Sequence, residues 1–558
     1  MKHNELSKSD PVMAPDYKFD VGIVGGTPSG ISAAISAAEM GCSVVILLRE
    51  SHLGGLLVNG LGATDIETRG ATTGLFTKFV DAINNYYLET YGPDSEAFKM
   101  CSNGYHFEPL VAEKIIEEML SSVEDKVTIR RNCTFNHCSN NVSKSLDVLK
   151  AVRVQNDNKK CEEWYKAKAW IDATYEGDLA AAAGVSYRLG RENKEDFDEP
   201  MAGHIFKGWG TPADVGSTGD GDHRIQSYNF RLCLSNEEKK RVPFSKPDHY
   251  DRLEYVSLIE DFVLKRRTGR VTSEFDPDGI GFITNIIHLP NKKTDANNQH
   301  LAFLSTDLPE ENQGWPEENW QWRDAFARRL REYTQGLFYF AANDSEVPGD
   351  LRRAVSSWGW AADEYLDNEN FPRQVYVREG RRIKGNYSFT AHDALPVEND
   401  VRPPVHIDSI TSSHYALDSH ACRKREPNRP HLEGFFSLQT SPYTVPIGVM
   451  LPNEVKGLLV PVAASATHVG LSTLRMEPCW MAMGEAAGVT AALAVGMNED
   501  VSSVSVSEVQ KKLLDRDTTL IYFKNDNPSK EGFKERQLMA LQDPQLYSGW
   551  MFPSHVLR

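Results

Sequence analysis

The feature that most constrains this 558-residue chain is a short apolar run that leads directly into a glycine-rich turn. Residues 19–24 have the length of a buried strand, and the turn 25–30 (GGTPSG) follows without a spacer. Apolar residues at helical spacing come next, Gly41 stands where a helix would end, and residues 42–48 form a second strand-length run. A strand, glycine turn, helix and strand within about thirty residues are typical of a dinucleotide-binding unit.

The glycine turn has the chemistry of a pyrophosphate site. The first turn of a helix offers unpaired N–H groups and a partial positive charge to a phosphate. The usual pattern is G-x-G-x-x-G, and Thr27 stands here at the second glycine position. A tight turn without a ligand is the alternative, and the flanking strand and helix favour the phosphate site. The residues predicted to line it are Gly25, Gly26, Thr27, Pro28, Ser29 and Gly30.

The end of the second strand departs from the usual pattern as well. An acidic residue normally stands there and accepts hydrogen bonds from the ribose hydroxyls, but this position holds Leu48. Glu50 is two residues further along and points to the same side of an extended chain. We therefore predict that Glu50 binds the ribose and that Arg49 lies on the adenine side.

A second glycine-dense segment, LGGLLVNGLG at residues 53–62, favours a flavin over a nicotinamide. Such a loop lets the backbone lie against a flat ring system, and the predicted contacts are Gly54, Gly55 and Leu56. His52 beside it raises the alternative of a covalent histidyl–flavin bond, which its spacing from the glycine pair does not favour.

The chain then returns to the predicted sheet. A helical pattern from Ala112 precedes a short strand at 127–130, which ends near Thr134. Residues 145–154 and 163–171 alternate with period two around a turn, which indicates an antiparallel ribbon. The second of these strands runs into small residues that allow a close approach to the cofactor. We expect Thr134, Ala173 and Thr174 to contact it.

Near the carboxyl end, we predict a strand at 457–461, a small-residue loop at 463–472 and a helix at 476–495. Gly484, Ala487, Gly488 and Ala491 give this helix a face on which another backbone can pack closely. Arg475, or the N–H groups that follow it, would stabilise negative charge on a reduced flavin ring. A tightly packed core helix is the alternative interpretation of this segment.

Composition limits the classes of partner. The formal charge is −17, with no basic run that alternates with aromatic residues, so we expect no nucleic-acid partner. We also expect no metal site, since none of the eight cysteines forms a C-x-x-C pair. No stretch of about 18 apolar residues and no secretory leader pattern is present, which predicts no membrane partner and a cytoplasmic location. The oligomeric state stays open.

Several segments together resemble the FAD-dependent oxidoreductase family that is distantly related to fumarate reductase flavoproteins and includes xanthan-lyase-associated proteins. The resemblance runs from about residue 20 to residue 495. The segments that carry it are GGTPSGISAA, HLGGLLVNGLG, FEPLVAEKIIEEML, IDATYEGDLAAAAGV, IQSYNFRLCL, VREGRRIKGNY, DSHAC and SATHVGLSTLRMEPCWMAMGEAAG. The resemblance implies a non-covalently bound FAD in a split Rossmann domain. It does not name a reaction.

The expected fold is α/β, with a split, glutathione-reductase-type Rossmann-like FAD-binding domain and a large mixed α+β substrate domain inserted in it. The expected division is a flexible amino terminus at 1–18, the FAD-binding domain at 19–190 and 432–500, the substrate domain at 191–431, and a helical tail at 501–558. The inserted region has many Gly, Pro and Asn residues and poor periodicity.

The leading functional hypothesis is oxidation of a small organic molecule by hydride transfer to flavin N5, with oxygen or a diffusible acceptor as the electron sink. No second glycine turn for NADPH follows the first, and no cysteine pair is present for electron transfer. A flavin-dependent monooxygenase is the alternative within the same class. A flavin-binding electron-transfer or assembly subunit is the alternative from another class.

The catalytic candidates are two histidines and one arginine. Histidine accepts protons near neutral pH without large tuning. His468 precedes the helix expected near the flavin, and His420 has Asp418 as a neighbour that could fix its tautomer. Arg382 belongs to a run of three arginines, with Arg378 and Arg381. It is predicted to bind an anionic or polyhydroxylated substrate or the flavin edge, against the alternative of a solvated surface.

Overall fold

The fold is taken from a computed structural model that describes residues 17–208, 210–266, 279–397 and 402–543. Most of the predicted 1–18 segment therefore lies outside the described residues. The strands are β1 Tyr17–Val24, β2 Val44–Leu47, β3 Val127–Arg130, β4 Cys133–Thr134, β5 Val142–Ser145, β6 Val148–Asn156, β7 Cys161–Asp172, β8 Tyr187–Arg188, β9 Leu234–Ser235, β10 Arg241–Val242, β11 Thr284–Leu289, β12 Lys293–Asn298, β13 Gly359–Ala361, β14 Arg382–Ile383, β15 Ser409–Ser413, β16 Leu417–Ser419, β17 Phe436–Leu438, β18 Tyr443–Pro446 and β19 Leu458–Leu459.

The helices surround these strands and connect them. They are α1 Pro28–Glu39, α2 Leu75–Tyr91, α3 Glu96–Met100, α4 Pro109–Ser121, α5 Asp178–Ala183, α6 Lys194–Phe197, α7 Ser257–Val263, α8 Trp320–Asn343, α9 Gly349–Ser356, α10 His468–Leu474, α11 Glu477–Met497, α12 Val506–Asp515 and α13 Phe533–Gln542.

The largest sheet is mixed, with a parallel part that carries the glycine turn. Its strand order is β3-β2-β1-β7-β6-β4, with β19 beside β7 and β5 beside β6. Strands β3, β2, β1, β7 and β19 pair in parallel. All four residues of β2 are buried, as expected for a parallel strand covered on both faces. The predicted strand–turn–helix–strand unit is thus confirmed as β1, α1 and β2.

The predicted antiparallel ribbon is also confirmed. It consists of β6 and β7, which pair antiparallel. Strand β7 is longer than a simple ribbon requires, because its other edge pairs in parallel with β1. The predicted strand at 457–461 is reduced to Leu458–Leu459, which adds to β7 in parallel. A segment near the carboxyl end therefore completes a sheet that begins at residue 17.

The middle of the chain forms separate, smaller sheets. The main one has the order β10-β13-β9-β12-β11, and its neighbouring strands are antiparallel. Three two-stranded sheets pair β8 with β14, β15 with β18 and β16 with β17. The chain is therefore a mixed α/β protein with a parallel-strand sheet and additional antiparallel sheets.

Helices α1 and α11 pack closely, as the small residues of α11 predict. A Cβ atom on Gly484 would lie 2.1 Å from the carbonyl oxygen of Ser29, and one on Gly488 would lie 2.3 Å from that of Ala33. Helix α11 is long and apolar enough to cross a membrane, but 83% of its apolar stretch is buried within the protein. In the described part of the chain it has the character of a core helix.

One element near the carboxyl end was predicted wrongly. The expected loop at 463–472 contains the start of α10, because Thr467 caps a helix that begins at His468. The Oγ1 atom of Thr467 accepts a hydrogen bond of 2.9 Å from the Gly470 N–H. Small residues without an amphipathic pattern concealed this helix, since α10 is buried on every side.

Candidate cofactor and active site

The turn between β1 and α1 is held by Thr27, the residue that departs from the usual glycine pattern. Its Oγ1 atom accepts a hydrogen bond of 3.2 Å from the Gly30 N–H and donates one of 2.8 Å to the carbonyl of Ala173. The first contact caps α1, and the second ties the turn to the residue that follows β7. The Thr27 hydroxyl thus makes two hydrogen bonds that a glycine at this position could not make.

The glycines of the turn make room for protein atoms. Gly25 has a φ of +109°, and a Cβ there would lie 2.6 Å from the carbonyl of Ala173. A Cβ on Gly30 would lie 2.2 Å from the carbonyl oxygen of Gly25. One on Gly26 would meet Leu48 at 2.6 Å. Close packing of protein atoms therefore requires glycine at these positions, in addition to the predicted approach of a phosphate.

A cleft of about 930 Å³ opens at the turn and at the adjacent strand ends. Seven of the predicted cofactor contacts line it: Gly25, Gly26, Thr27, Arg49, Glu50, Gly55 and Thr174. Further walls come from Cys133, Phe135, Tyr175, Glu176, Asp178, Trp315, Trp320, Asp324, Gln374 and Val375. The cleft is therefore built from both the large sheet and the middle region of the chain.

The other predicted contacts lie behind these walls. Pro28, Ser29 and Gly30 are buried in the first turn of α1, Leu56 and Gly54 are buried beneath the glycine loop, and Ala173 contributes its carbonyl to Thr27. Thr134 donates instead to Asp157 at 2.7 Å. Arg475 ends α10, where its guanidinium contacts Tyr376 at 2.7 Å and Asp418 at 3.2 Å. None of the predicted contacts named in this paragraph is among the residues that line the cleft.

Arg49 and Glu50 line the cleft with different surroundings. Arg49 pairs with Asp324 at 2.8 Å, and its guanidinium lies 4.2 Å from the ring centre of Trp320. The Glu50 carboxylate has no partner from another residue in the described part of the chain, and burial raises its pKa. An acceptor without a donor suits the ribose hydroxyls, and the ring of Trp320 suits a flat base beside it.

The acidic side chains Glu176 and Asp178 were missed by the sequence analysis. Trp315 Nε1 donates to Glu176 Oε1 at 3.0 Å, and burial raises the pKa of Glu176 to about 7. Asp178 accepts from Arg323 at 2.6 Å and from Arg381 at 2.8 Å. Both carboxyls lie in the segment after β7, and only the tertiary fold brings Trp315 and Arg323 to them.

Tyr175 links the glycine loop to α11. Its hydroxyl accepts a hydrogen bond of 3.1 Å from the Leu56 N–H and lies 2.5 Å from Oε1 of Glu477. Burial raises the pKa of Glu477 to about 8, so this carboxyl is neutral at pH 7. A Cβ on Gly55 would lie 2.3 Å from the Tyr175 hydroxyl. The loop glycine thus allows the loop to pack on this pair.

His468 is fully enclosed at the start of α10. Its Nδ1 lies 2.8 Å from Glu379 Oε2, and its Nε2 lies 3.3 Å from the Ser419 hydroxyl. Only 1% of the residue is exposed. Both ring nitrogens therefore have protein partners.

His420 is placed differently, in the wall of a small cavity. Its Nδ1 lies 2.8 Å from Asp307 Oδ2, and its Nε2 lies 3.5 Å from Asp418 Oδ2. Burial opposes ionisation of both aspartates, but Arg378 and His420 lower the pKa of Asp307, and His420 with Arg475 lowers that of Asp418 to about 2. The imidazole thus stands between two carboxylates.

The three arginines of the 378–382 segment are buried, which overturns the solvated-surface alternative. Arg382 donates to Glu192 at 3.0 Å and to the Gly190 carbonyl. Arg378 pairs with Asp307 at 2.9 Å, and Arg381 pairs with Asp178. These guanidinium groups thus pair with protein carboxylates in the interior. Arg378, Asp307, His420, Asp418 and Arg475 instead form one continuous row of contacts.

The residues present fit an FAD. The cleft offers a capped helix amino terminus for phosphate, an unpartnered carboxylate for ribose and an aromatic wall for the base. In the described residues, no group of three or more His, Cys, Asp or Glu side chains is arranged to hold a metal ion.

The sequence matches the family described as FAD dependent oxidoreductase over residues 20–513. A curated relative, digeranylgeranylglycerophospholipid reductase 2 from Methanopyrus kandleri, is 33% identical over 104 residues, which are 17% of this chain and 24% of that protein. The match thus spans about a quarter of that relative's length. The chain belongs to the FAD dependent oxidoreductase family, and FAD is its cofactor.

Solved structures with detectable likeness include a geranylgeranyl bacteriochlorophyll reductase-like protein from Thermoplasma acidophilum. It is 12% identical, with 94% of this chain and 87% of that chain covered and a TM-score of 0.33. L-Proline dehydrogenase from P. horikoshii is 17% identical, with 32% and 25% covered and a TM-score of 0.18. Scores of this size carry no argument about the reaction.

Proposed function

We propose that this flavoprotein oxidises a small organic molecule at a C–OH or C–NH group, with FAD bound in a split Rossmann-like domain. The observation that carries the proposal is His420, held between two aspartates in the wall of a cavity. Oxidation of such a group removes a hydride and a proton. Bound FAD supplies the acceptor for the hydride.

His420 is the proposed proton acceptor. Asp307 accepts the Nδ1–H of the ring, which fixes the tautomer and makes Nε2, on the side of Asp418, the nitrogen that takes the proton. Asp418, 3.5 Å from Nε2, then stabilises the imidazolium that forms. Arg378 and Arg475 hold these two aspartates ionised.

His468 is the second candidate and has less support. Ser419 and Glu379 occupy its two ring nitrogens, and the ring is enclosed. A positioning role for Glu379 and α10 agrees better with these contacts. Arg382 is assigned a structural role through Glu192 for the same reason.

The experiment is the visible spectrum of the purified protein before and after anaerobic addition of an alcohol and amine panel. Loss of the oxidised flavin bands with at least one member, at a rate that matches turnover, supports the proposal. Rapid bleaching by NADPH alone would favour the flavin-dependent monooxygenase. Absence of turnover by the isolated chain with every substrate and acceptor would favour the electron-transfer subunit.

Oxygen or a diffusible acceptor is the proposed electron sink, and a small molecule is the proposed partner. All eight cysteines are free, which agrees with a cytoplasmic location.

A further inference from the structure

Glu176 is a buried carboxyl in the wall of the cofactor cleft, beside Gly25, Gly26 and Thr27. Only 5% of the residue is exposed. Its Oε1 accepts a hydrogen bond from Trp315 Nε1, and no described residue bonds its Oε2. One oxygen is therefore available to a ligand in the cleft.

The two arginines near Glu176 form their ion pairs with another carboxylate. Arg323 and Arg381 both pair with Asp178, and Glu50, which follows β2 at the same edge of the sheet, contributes a further negative charge. Burial acts most strongly and raises the pKa of Glu176 to about 7; Arg323 lowers it, and Asp178 and Glu50 raise it. Tyr175, Tyr228 and His137 stay neutral just above pH 7, because burial raises the pKa of the two tyrosines and lowers that of the histidine. The Arg49–Asp324 pair in the same cleft is charged on both sides and adds no net charge.

A pyrophosphate at the predicted turn would meet a like charge if Glu176 were ionised. We propose that Glu176 is a cofactor-binding residue that acts as a neutral carboxylic acid and donates its proton to a phosphate oxygen of FAD. A protonated carboxyl has one O–H donor, which phosphate accepts. The inference concerns cofactor binding alone and is independent of the proposed substrate oxidation.

Binding of FAD then becomes linked to proton uptake. A phosphate beside Glu176 favours the neutral acid, so the pKa of Glu176 is higher in the complex than in the free protein. Below about pH 7 the group is already protonated, and affinity for FAD is constant. Above that pH a proton must bind together with FAD, and the affinity falls by up to tenfold per pH unit.

The test measures the Kd of FAD between pH 6 and 9 with protein from which FAD has been removed reversibly. The native protein should lose about ten- to a hundredfold in affinity between pH 7 and 9. Glu176→Gln, whose amide donates without titrating, should show a flat profile and bind more tightly than the native protein at pH 9. Glu50→Gln is the matched control from the same cleft and should bind more weakly, while its affinity still falls with rising pH, from a lower pH onwards because one negative charge beside Glu176 is lost.

A second measurement does not depend on any variant. Calorimetric titration of the native protein with FAD at pH 8, in buffers of different ionisation enthalpy, should report uptake of up to one proton. A flat native profile with no proton uptake overturns the proposal, as does a native slope retained by Glu176→Gln. Failure of the substrate panel to reduce the flavin would leave these results unchanged.

Discussion

The hydroxyl of Tyr175 lies 2.5 Å from Oε1 of Glu477 and accepts the N–H of Leu56, so one phenol oxygen joins α11 to the glycine loop. Tyr175→Phe should lower the melting temperature, since a buried carboxyl that loses its partner costs about 1–3 kcal/mol. It should also weaken FAD binding, because the loop loses its anchor. Unchanged stability and unchanged Kd in this variant would contradict the assignment.

Glu477 should also make stability depend on pH. Its pKa is raised from 4.5 to about 8 in the folded protein, so folding binds a proton between these values. The stabilisation is complete below about pH 4.5 and is lost as pH rises towards 8, by at most about 1.4 kcal/mol per unit. Glu477→Gln, which keeps the neutral hydrogen bond, should lose less stability between pH 6 and 8 than the native protein in urea titrations. Parallel losses would argue that Glu477 is ionised.

Removal of the Glu50 carboxylate should weaken the cofactor complex. Glu50→Ala should raise the Kd of FAD by about ten- to a hundredfold, the worth of one or two hydrogen bonds to a charged acceptor. Flavin fluorescence quenching measures this change. Glu117→Ala, on the exposed face of α4, is the control and should bind FAD like the native protein. Equal affinities for the two variants would remove Glu50 from the site.

Replacing Thr27 with the glycine of the usual pattern should destabilise the folded protein. Thr27→Gly deletes the cap of α1 and the bond to Ala173, at a cost of about 1–2 kcal/mol. Thr27→Ser keeps the hydroxyl and should stay near native stability in chemical denaturation. A Gly variant as stable as the Ser variant would show that the hydroxyl contributes nothing.

The α1–α11 contact should tolerate no added methyl group. Gly484→Ala places a Cβ against the Ser29 carbonyl and should destabilise the protein by about 1–3 kcal/mol. Gly496→Ala lies in the same helix with nothing within 4 Å of its Cβ and should be neutral or stabilising by up to about 1 kcal/mol. Thermal unfolding of the pair separates packing from helix propensity. Similar melting temperatures would contradict the close approach.

Variants of His420 and His468 should differ in the rate at which the substrate reduces the flavin. His420→Ala should keep FAD bound with its native spectrum, while anaerobic reduction by the true substrate slows by roughly 10²-fold or more. His468→Ala should mainly lower stability, because the buried Glu379 carboxylate loses its shortest side-chain contact and keeps only longer ones to Arg382 and Gln226. Near-native reduction rates in the His420 variant would exclude it as the proton acceptor.

Local patterns predicted the first part of the fold well. The strand, turn and helix at residues 17–39 follow from an apolar run, three glycines and helical spacing, all of which are short-range signals. Helix α10 was missed, since complete burial removes the amphipathic pattern. The Thr467 cap was the available signal for its start.

The cleft walls contain side-chain pairs that could not be predicted from the sequence. Glu176 lies in the segment that follows a predicted strand, but its partner Trp315 is 139 residues away. Arg378, Arg381 and Arg382 look like a solvated run, yet carboxylates from distant segments neutralise them in the interior. Pairings of this kind depend on the tertiary fold and leave no local pattern.

The contact between α1 and α11 has a consequence for biosynthesis. Ser36 bonds the carbonyl of Glu485, 449 residues later in the chain, and β19 joins β7 only after residue 459 has been made. A nascent chain that has emerged only as far as the middle region carries β7 and α1 with these faces uncovered. Packing of α1 against α11 and completion of the β7 edge must therefore wait until these carboxyl-terminal segments have left the ribosome, and a chain that stops short of residue 458 would display apolar surfaces for chaperones to bind.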